Sequence, residues 1–411
     1  MNLLVVLLLG FISTLWGANW QQNFELHQEF RGFNNDESIF TRDNSYSVRL
    51  QNHSQWHKGP WSVNVRGLLR RDPSGHREAN FLQEFWIRKR YDNFSLTLGS
   101  QMLDWTALEA FHPADVMNAR NLDSNFESPE KLGEWMVKLE IPHEESVWNF
   151  YYMPHLQTPT FPKLNSRLNL FRASMVNIQI MDSSSNLIPG KKVEQFGVRY
   201  ETSRGDTDYS FHYINHYDRQ HPVSSSQIPA NSMKIGLPKV AQIGGTLVSI
   251  FDDSSLKLEW AYRNYSHKIK HILPLNNRAL DHASVAAGLE FPRQLTHGAE
   301  IIYLIELQTV IGPNSHERAR MNIFQRDLLL GARFVRNDIQ GTEITGSIIL
   351  DMERSREILS QFSFSRRIND MQKYQLGVRY TDAPPKGLSD TSGLKPFHND
   401  FQITGSLIHY F

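Results

Sequence analysis

Apolar and polar side chains alternate along most of the chain after residue 18. In the segment that starts at Trp61, apolar residues occupy every second position as far as Val65, with Ser62 and Asn64 between them. A period of two is typical of β-strands that have one apolar face and one polar face. The same alternation recurs around residues 94–99, 135–141, 208–213, 256–263 and 374–380. The pattern predicts an all-β protein.

The polar faces of these segments carry Lys, Arg and Glu within strands of about 10 residues, the length of a tilted transmembrane strand. Only alternate residues of such a strand meet lipid, so a mean hydropathy of −0.45 is compatible with a membrane location. After residue 18, no apolar stretch of the sequence approaches the roughly 20 residues that a helical span requires. The alternation therefore favours a transmembrane β-barrel.

The connections between the predicted strands alternate in length. Short connections are predicted at residues 57–60, 91–93, 143–145, 203–206, 251–254, 292–298, 337–341 and 367–371. Long connections are predicted at residues 31–44, 72–80, 102–133, 154–191, 218–238, 268–281, 311–321 and 381–399, and the stretch at 353–356 breaks the series. Short turns on one side and long loops on the other are typical of outer-membrane barrels. The series predicts an antiparallel up-and-down barrel of about 18 strands, or about 16 if two marginal hairpins are loops, with both termini on the short-turn side.

The N-terminal residues resemble a secretory signal peptide. An unbroken apolar run at residues 3–9 is followed further along by the small residues Gly17 and Ala18, and such a run is too short for a comfortable membrane-spanning helix. No Lys or Arg precedes the run, and Trp16 lies near the predicted cleavage site, so an uncleaved anchor is the alternative. We expect residues 1–18 to be removed.

The remaining residues, 19–411, are predicted to form the barrel. The last strand has Phe401, Ile403 and Leu407 on one face and ends at Phe411. A terminal aromatic residue on an amphipathic strand resembles the signal by which the barrel-assembly machinery recognises outer-membrane barrels. The resemblance implies the outer membrane of a Gram-negative cell, with membrane lipid and the assembly machinery as partners.

The composition excludes several classes of function. The 43 basic and 43 acidic residues cancel, which argues against a nucleic-acid partner, and the absence of cysteine excludes thiolate chemistry and cysteine-ligated metals. His212 and His216 share one strand face with Asp208 and Asp218, but one strand cannot supply a tetrahedral set of metal ligands. The sequence has no Gly-x-Ser-x-Gly, P-loop or His-Glu-x-x-His segment. We therefore predict no enzymatic activity, no cofactor and no metal site.

The third long connection, residues 102–133, is the segment most informative about function. It is too apolar for a free surface loop, since it contains Trp105, Leu108, Phe111 and Met117. Such side chains need a wall to pack on, and the barrel interior supplies one. A short helix is predicted within it, because Pro113 suits a first helical position and good helix formers follow.

We predict that this loop folds into the lumen and narrows it. The predicted site comprises the loop residues Asp104, Trp105, His112, Asp115, Asn118 and Arg120 and the strand residues Arg66, Arg70, Arg88 and Arg90. We expect the charged loop residues to face the four strand arginines and to set a transverse field that orients dipolar solutes. In the alternative, Asp104 and Asp115 only cap helical turns and Arg120 pairs with a carboxylate.

The same loop carries a resemblance to a known family. The motif is Gly99-x-Gln101-x-x-x-Trp105, followed by Pro113-x-Asp115 and Asn118-x-Arg120. It resembles a mostly uncharacterised family of porin-like outer-membrane barrels, in which a Gly-Arg-Gln strand leads into Trp-Gly and then Asn-Pro-x-Asp. This chain departs from the pattern at Ser100 and Thr106. The resemblance implies transport of small solutes, including hydrophobic or amphipathic compounds.

The predicted function is therefore a porin-like channel of the outer membrane. One alternative is a structural or docking barrel whose loops at 154–191 and 218–238 bind a partner, and the apolar stretch 168–181 is predicted to form an extra hairpin or helix over the barrel mouth. Another is a soluble all-β secreted binding module. The sequence leaves the solute, the direction of transport and the oligomeric state open.

Overall fold

The structure is a computed structural model in which side chains and backbone are described for most of the chain. The described residues are 19–34, 44–73, 77–163, 166–169, 175–181, 187–188, 190–221, 223–225, 232–266, 279–354, 356–384 and 393–411. The predicted signal segment, residues 1–18, lies outside them. Among the described residues, no helix is long and apolar enough to cross a membrane.

The main sheet of the described chain has 18 strands, all antiparallel to their neighbours. They are β1 (Trp20–Phe33), β2 (Asn44–Lys58), β3 (Trp61–Arg71), β4 (Ala79–Arg90), β5 (Ser95–Gln101), β6 (Glu134–His143), β7 (Ser146–His155), β8 (Lys192–Arg204), β9 (Thr207–Tyr217), β10 (Lys239–Phe251), β11 (Ser254–Tyr265), β12 (His282–Gln294), β13 (Glu300–Ile311), β14 (Arg326–Val335), β15 (Glu343–Asp351), β16 (Ile358–Asn369), β17 (Gln372–Asp382) and β18 (Asp400–Tyr410). Each strand pairs with the next along the chain, and the predicted up-and-down topology with the larger strand count is confirmed.

The sheet closes on itself through its first and last strands. β18 pairs with β1 in a register that runs from Glu25 opposite Tyr410 to Phe33 opposite Gln402. The backbone of Phe411 extends this pairing, since its N–H donates to the carbonyl of Phe24 at 3.0 Å. Closure leaves the main sheet without a free edge, which is the condition for a sheet to span a bilayer.

The connections alternate in length as predicted. Those at one end of the barrel are tight turns, such as residues 59–60, 144–145, 205–206, 252–253 and 370–371. Those at the other end include the long loops 102–133, 156–191 and 218–238, whereas the loop at 352–357 is short and breaks the series. The first and last described residues lie at the short-turn end, because the N–H of His57 donates to the carbonyl of Asn19 and the N–H of Tyr410 donates to the carbonyl of Met371.

Burial in the barrel strands is the reverse of that in a soluble protein. On β9 the aromatic side chains of Phe211 and Tyr213 are exposed, whereas the intervening Ser210 and His212 are buried. Phe150 and Tyr152 on β7 repeat the pattern, and similar exposed apolar residues occur on most strands. A continuous apolar exterior of this kind is favourable in lipid and unfavourable in water. It argues against the soluble secreted module.

Smaller elements lie in the long loops. A sheet of four strands combines Met175–Met181 and Leu187–Ile188 from one loop with Val223–Ser225 and Ser232–Leu237 from another. The first two strands pair antiparallel, and only the first of them lies in the stretch 168–181 for which an extra hairpin or helix was predicted. The first strand also pairs in parallel with Ser232–Leu237. The loop after β13 contains the helix α1 (Ser315–Met321), and two 3-10 turns occur at Thr296–Gly298 and Lys395–Phe397. Arg120–Asn121 and Glu130–Lys131 form a short ribbon in the third long loop.

Candidate functional site

The third long loop, residues 102–133, begins directly after β5 and ends directly before β6, with the predicted bounds. Its first half contacts side chains of β7, β9, β11, β13 and β14. Its second half contacts side chains of β1, β2, β3, β16 and β17. The loop therefore touches strands from widely separated parts of the barrel.

Two buried glutamates hold the backbone of the first half. Glu259 on β11 accepts the N–H of Ala107 at 2.6 Å and of Leu108 at 3.0 Å. Glu306 on β13 accepts the next two N–H groups along the loop, Glu109 at 2.6 Å through Oε1 and Ala110 at 3.0 Å through Oε2. Hydrogen bonds to a charged acceptor contribute about 1.5–3 kcal/mol each. The two carboxylates thus fix successive backbone groups of the loop to neighbouring regions of the wall.

Apolar contacts support these hydrogen bonds. Leu108 and Phe111 of the loop are buried in a cluster with inward-facing residues of several strands, among them Ala286, Leu304, Leu329, Ile349 and Leu359. A second cluster contains Trp105, Val116 and Met117 together with Met136, Tyr151, Met153 and Ile214. Full burial of one such side chain contributes about 1.5–3 kcal/mol. The apolar composition of the loop is therefore explained by its contacts with the wall.

The predicted helix within the loop is wrong. Residues 113–114 form a turn, and residues 115–119 have no helical structure. The N–H of Asp115 bonds to the carbonyl of His112 at 3.3 Å, which closes a single turn, but the donors before it are taken by side chains of the wall. Glu259 accepts the N–H of Ala114 at 3.4 Å, and the two glutamates accept the N–H groups of residues 107–110, of which 108–110 form a bend.

Asn118 closes the base of the loop. Its Oδ1 accepts the N–H of Leu103 at 2.8 Å, and its Nδ2 donates to the carbonyls of Gln101 and Leu132, each at 2.9 Å. Because Gln101 and Leu132 lie at opposite ends of the loop, a single buried side chain joins the two ends. This arrangement requires both a donor and an acceptor on the same side chain, which an amide supplies.

The charged residues of the predicted site pair within the loop. Asp115 is bonded to Arg120 at 2.5 Å and to Lys131 at 2.9 Å, and it accepts the N–H of Trp105 at 3.4 Å. Asp104 also binds Lys131, at 2.8 Å. Burial raises the pKa of Asp104, but the bond to Lys131 lowers it overall. These contacts correspond to the alternative in which Arg120 pairs with a carboxylate, rather than to an opposition between these loop acids and the strand arginines.

The four strand arginines have different partners. Arg70 binds Glu130 of the loop at 3.0 Å and Glu29 of β1 at 3.0 Å. Arg66 lies 3.7 Å from Glu84, Arg88 donates to Thr97 at 3.0 Å, and Arg90 is exposed at the short-turn end of β4. The loop carboxylate that meets this wall is therefore Glu130. It also lies 3.4 Å from Arg49. Burial raises the pKa of Glu130, but Arg70, Asn121 and Arg49 together lower it overall.

Two further residues of the predicted site pack against the wall. Trp105 lies with its ring centroid 5.7 Å from that of Tyr151 and 4.8 Å from that of His212, and Arg199 covers its ring at 4.9 Å. His112 lies with Nδ1 3.5 Å from Oε1 of Glu259. Burial lowers the pKa of His112, but the contact with Glu259 raises it overall.

The second half of the loop approaches β16 and β17. Gln361 donates to Glu127 at 2.6 Å, and Arg379 donates to Asn125 at 2.9 Å and to Glu127 at 3.3 Å. Between these loop residues and the inner face of β15–β18 lies a cavity of about 240 Å³. A second cavity of about 420 Å³ extends along the same wall towards β1.

His212 and His216, the two histidines singled out in the sequence, are both buried. His212 contacts Trp105 and lies 3.0 Å from Nε2 of Gln242. Asp218 binds His221 at 2.9 Å and accepts the hydroxyl of Tyr265 at 2.6 Å. In the described parts of the chain, no group of three or more His, Asp or Glu side chains is arranged to hold a metal ion.

Four residues that contact the loop or line its cavity were not predicted as site residues: Glu259, Glu306, Glu127 and Arg379. Their positions on the polar faces of alternating strands, or in the loop, were visible. The alternation does not show which of the many inward-facing polar residues contacts the loop, because that contact depends on the path of the loop across the barrel.

Comparison with known proteins adds information about the fold. Neither a protein-family model nor a curated protein sequence matches the chain. Among solved structures, Pseudomonas aeruginosa OccK3 (OpdO) matches with a TM-score of 0.54 over 95% of this chain and 95% of its own, at 10% identity. The chain has the same fold. Pseudomonas aeruginosa OccK5 (OpdH) matches at 0.54 over 96% and 98% with 8% identity, and OccK11 (OpdR) at 0.53 over 96% and 97% with 8% identity. The shared fold covers nearly the whole chain.

Proposed function

We propose that the protein is a porin-like channel of the Gram-negative outer membrane that allows small solutes to pass, rather than an enzyme. The observation that carries the proposal is the reversed burial of the closed barrel, with apolar side chains outside and polar ones inside. At about this strand number, side chains of the wall cannot fill the interior, so an aqueous lumen or a plug is required. The porin-like motif around Trp105 and the shared fold support the same conclusion.

The loop 102–133 narrows this channel without closing it. Support comes from its bonds to β11 and β13 on one side and to β1–β3 and β16–β17 on the other. The loop acids and Lys131 neutralise one another, and Glu130 neutralises part of the arginine charge of β2 and β3. With most charges paired, we expect weak ion selectivity.

The mature protein is residues 19–411 in this proposal, and its last strand directs assembly. The aromatic end at Phe411 and its pairing with β1 are consistent with recognition of the terminal strand before closure. Removing Phe411 should lower the amount of folded, heat-modifiable protein in outer membranes. The intact mass of the mature chain would identify the cleavage site.

Single-channel recording of the refolded mature protein in a planar bilayer tests the channel. Stable current steps are expected, with a reversal potential near zero under a salt gradient. A folded, heat-modifiable barrel that gives no steps would contradict the proposal and would favour the docking function of the long loops.

A further inference from the structure

We infer that the inner face of β15–β18 forms a hydrogen-bonding track for uncharged polyhydroxylated solutes of the carbohydrate class. The inference rests on the proposed channel function and specifies its solute. It differs from the hydrophobic compounds that the family resemblance implies.

The first cavity, of about 240 Å³, is lined by hydroxyl and amide side chains. From successive strands these are Ser347 on β15, Gln361 and Ser363 on β16, and Gln402 and Thr404 on β18. Phe362 and Val378 also line this cavity, together with the charged residues Glu127 and Arg379, whereas Ile403 is exposed on the barrel exterior. The surface offered to a solute therefore combines neutral donors and acceptors with apolar atoms, which matches the hydroxyl groups and the C–H faces of a sugar ring.

The charged groups at this cavity are already paired. Arg379 lies 3.3 Å from Glu127 and 3.3 Å from Asp400, and Asp400 also binds Arg167 at 2.6 Å. Glu127 in turn accepts a hydrogen bond from Gln361. A paired arginine and carboxylate present little net field, so a charged solute gains little here over water.

Two buried polar atoms at the cavity have no hydrogen-bond partner among the described residues. They are Nε of Arg379, a donor, and Oε1 of Gln402, an acceptor. The two residues are directly opposite each other on β17 and β18, and each side chain is no more than 6% exposed. Buried polar groups normally have partners, and a hydroxyl group can both accept from the first atom and donate to the second. A carboxylate can only accept hydrogen bonds and an ammonium group can only donate them. Neither can therefore bond to both Nε of Arg379 and Oε1 of Gln402, as a hydroxyl group can.

The track continues into the second cavity, of about 420 Å³. Ser363, Gly377 and Thr404 line both cavities. Towards the short-turn end, Ser365 and Ser406 line the second cavity together with acidic and basic side chains, namely Glu29, Arg31, Arg77, Glu343 and Lys373. A side chain at position 377 would bring its Cβ to 2.5 Å from Oγ1 of Thr404. Glycine at this position therefore keeps the Thr404 hydroxyl open where the two cavities meet.

The test is the effect of sucrose on single-channel current through the refolded mature protein. Sucrose is expected to interrupt the current, whereas gluconate, an anion with similar hydroxyl groups, should do so less. Gln402→Leu should reduce the frequency of sucrose interruptions roughly 5- to 10-fold, as expected for loss of one hydrogen bond. Gln55→Leu is the matched control, because Gln55 on β2 contacts His53 and Asn64 and lines neither cavity.

The outcomes separate the inference from the proposed function. Current steps that sucrose does not interrupt, or interruptions reduced equally by both variants, would overturn the track and leave the channel intact. Stronger interruption by gluconate would also overturn it, in favour of an anion site. Absence of current steps would overturn the channel and the track together.

Discussion

Replacing Glu306 by Gln should release part of the third long loop from the barrel wall. The two carboxylate oxygens of Glu306 accept different N–H groups, those of Glu109 and Ala110. A glutamine of the same size keeps one acceptor oxygen but places an NH₂ group against the other backbone donor. One backbone N–H therefore loses its acceptor in a buried position, and the remaining bond loses its charge assistance.

The size of the effect follows from these two losses. A hydrogen bond to a charged group contributes about 1.5–3 kcal/mol, and an unsatisfied buried donor costs about 1–3 kcal/mol. A net loss of about 3 kcal/mol raises the population of the undocked segment roughly 100-fold. Burial of Leu108 and Phe111 still contributes about 1.5–3 kcal/mol each and is unaffected by the change. The segment should therefore open more often while remaining docked most of the time.

Hydrogen–deuterium exchange of the refolded protein measures this opening directly. The amides of Glu109 and Ala110 should exchange roughly 100-fold faster in Glu306→Gln, with the mean single-channel conductance changed little and its noise increased. Glu290→Gln is the control, since Glu290 on β12 pairs with Lys257 and Ser255. If the loop amides exchange at the same rate in Glu306→Gln as in the control, the carboxylate does not hold the loop and the reasoning fails.

Three other changes test the same architecture. Gly99→Ala should prevent formation of the folded, heat-modifiable barrel, because a Cβ at φ +129° would lie 2.1 Å from the backbone carbonyl oxygen of Phe85. Gly346→Ala is the control and should fold normally, because a Cβ there meets nothing within 4 Å. Equal yields of folded barrel from the two variants would contradict the predicted clash. Asn118→Asp should speed amide exchange at both ends of the loop, because it replaces a donor to two carbonyls by an acceptor, and unchanged exchange would refute a closing role. His112 should titrate above 6.5 by NMR, and its pKa should shift back towards that value in Glu259→Gln. Its protonated ring should stabilise the docked loop at low pH, and this stabilisation should be lost as the pH rises through the raised pKa. A titration midpoint below 6.5 would contradict the contact with Glu259.

The sequence allowed the barrel, its strand count and its loop series to be predicted because each follows from local pattern. Alternation in segments such as that beginning at Trp61 determines which side chains face outward, and turn residues determine where strands end. The bounds of the long loop 102–133 followed for the same reason, since alternation stops at Gln101 and resumes at Glu134.

The conformation of that loop could not be predicted in the same way. Pro113 and the residues after it favour a helix locally, but Glu259 and Glu306, far along the chain, accept backbone N–H groups of the irregular loop. Asp115 was predicted to face the strand arginines, but it binds Lys131, which lies across the short ribbon from Arg120.

The sequence by itself thus determined the faces, ends and order of the strands, since a strand's orientation depends on its neighbours in the chain. Only the tertiary structure decided which polar side chains meet the loop and which line open cavities. The pairing of Arg379 with Gln402 across β17 and β18 depends on register, and their contact with a cavity depends on where the loop leaves the wall uncovered. Closing the barrel brings residues from distant parts of the chain to one space, and a linear pattern contains no such distances.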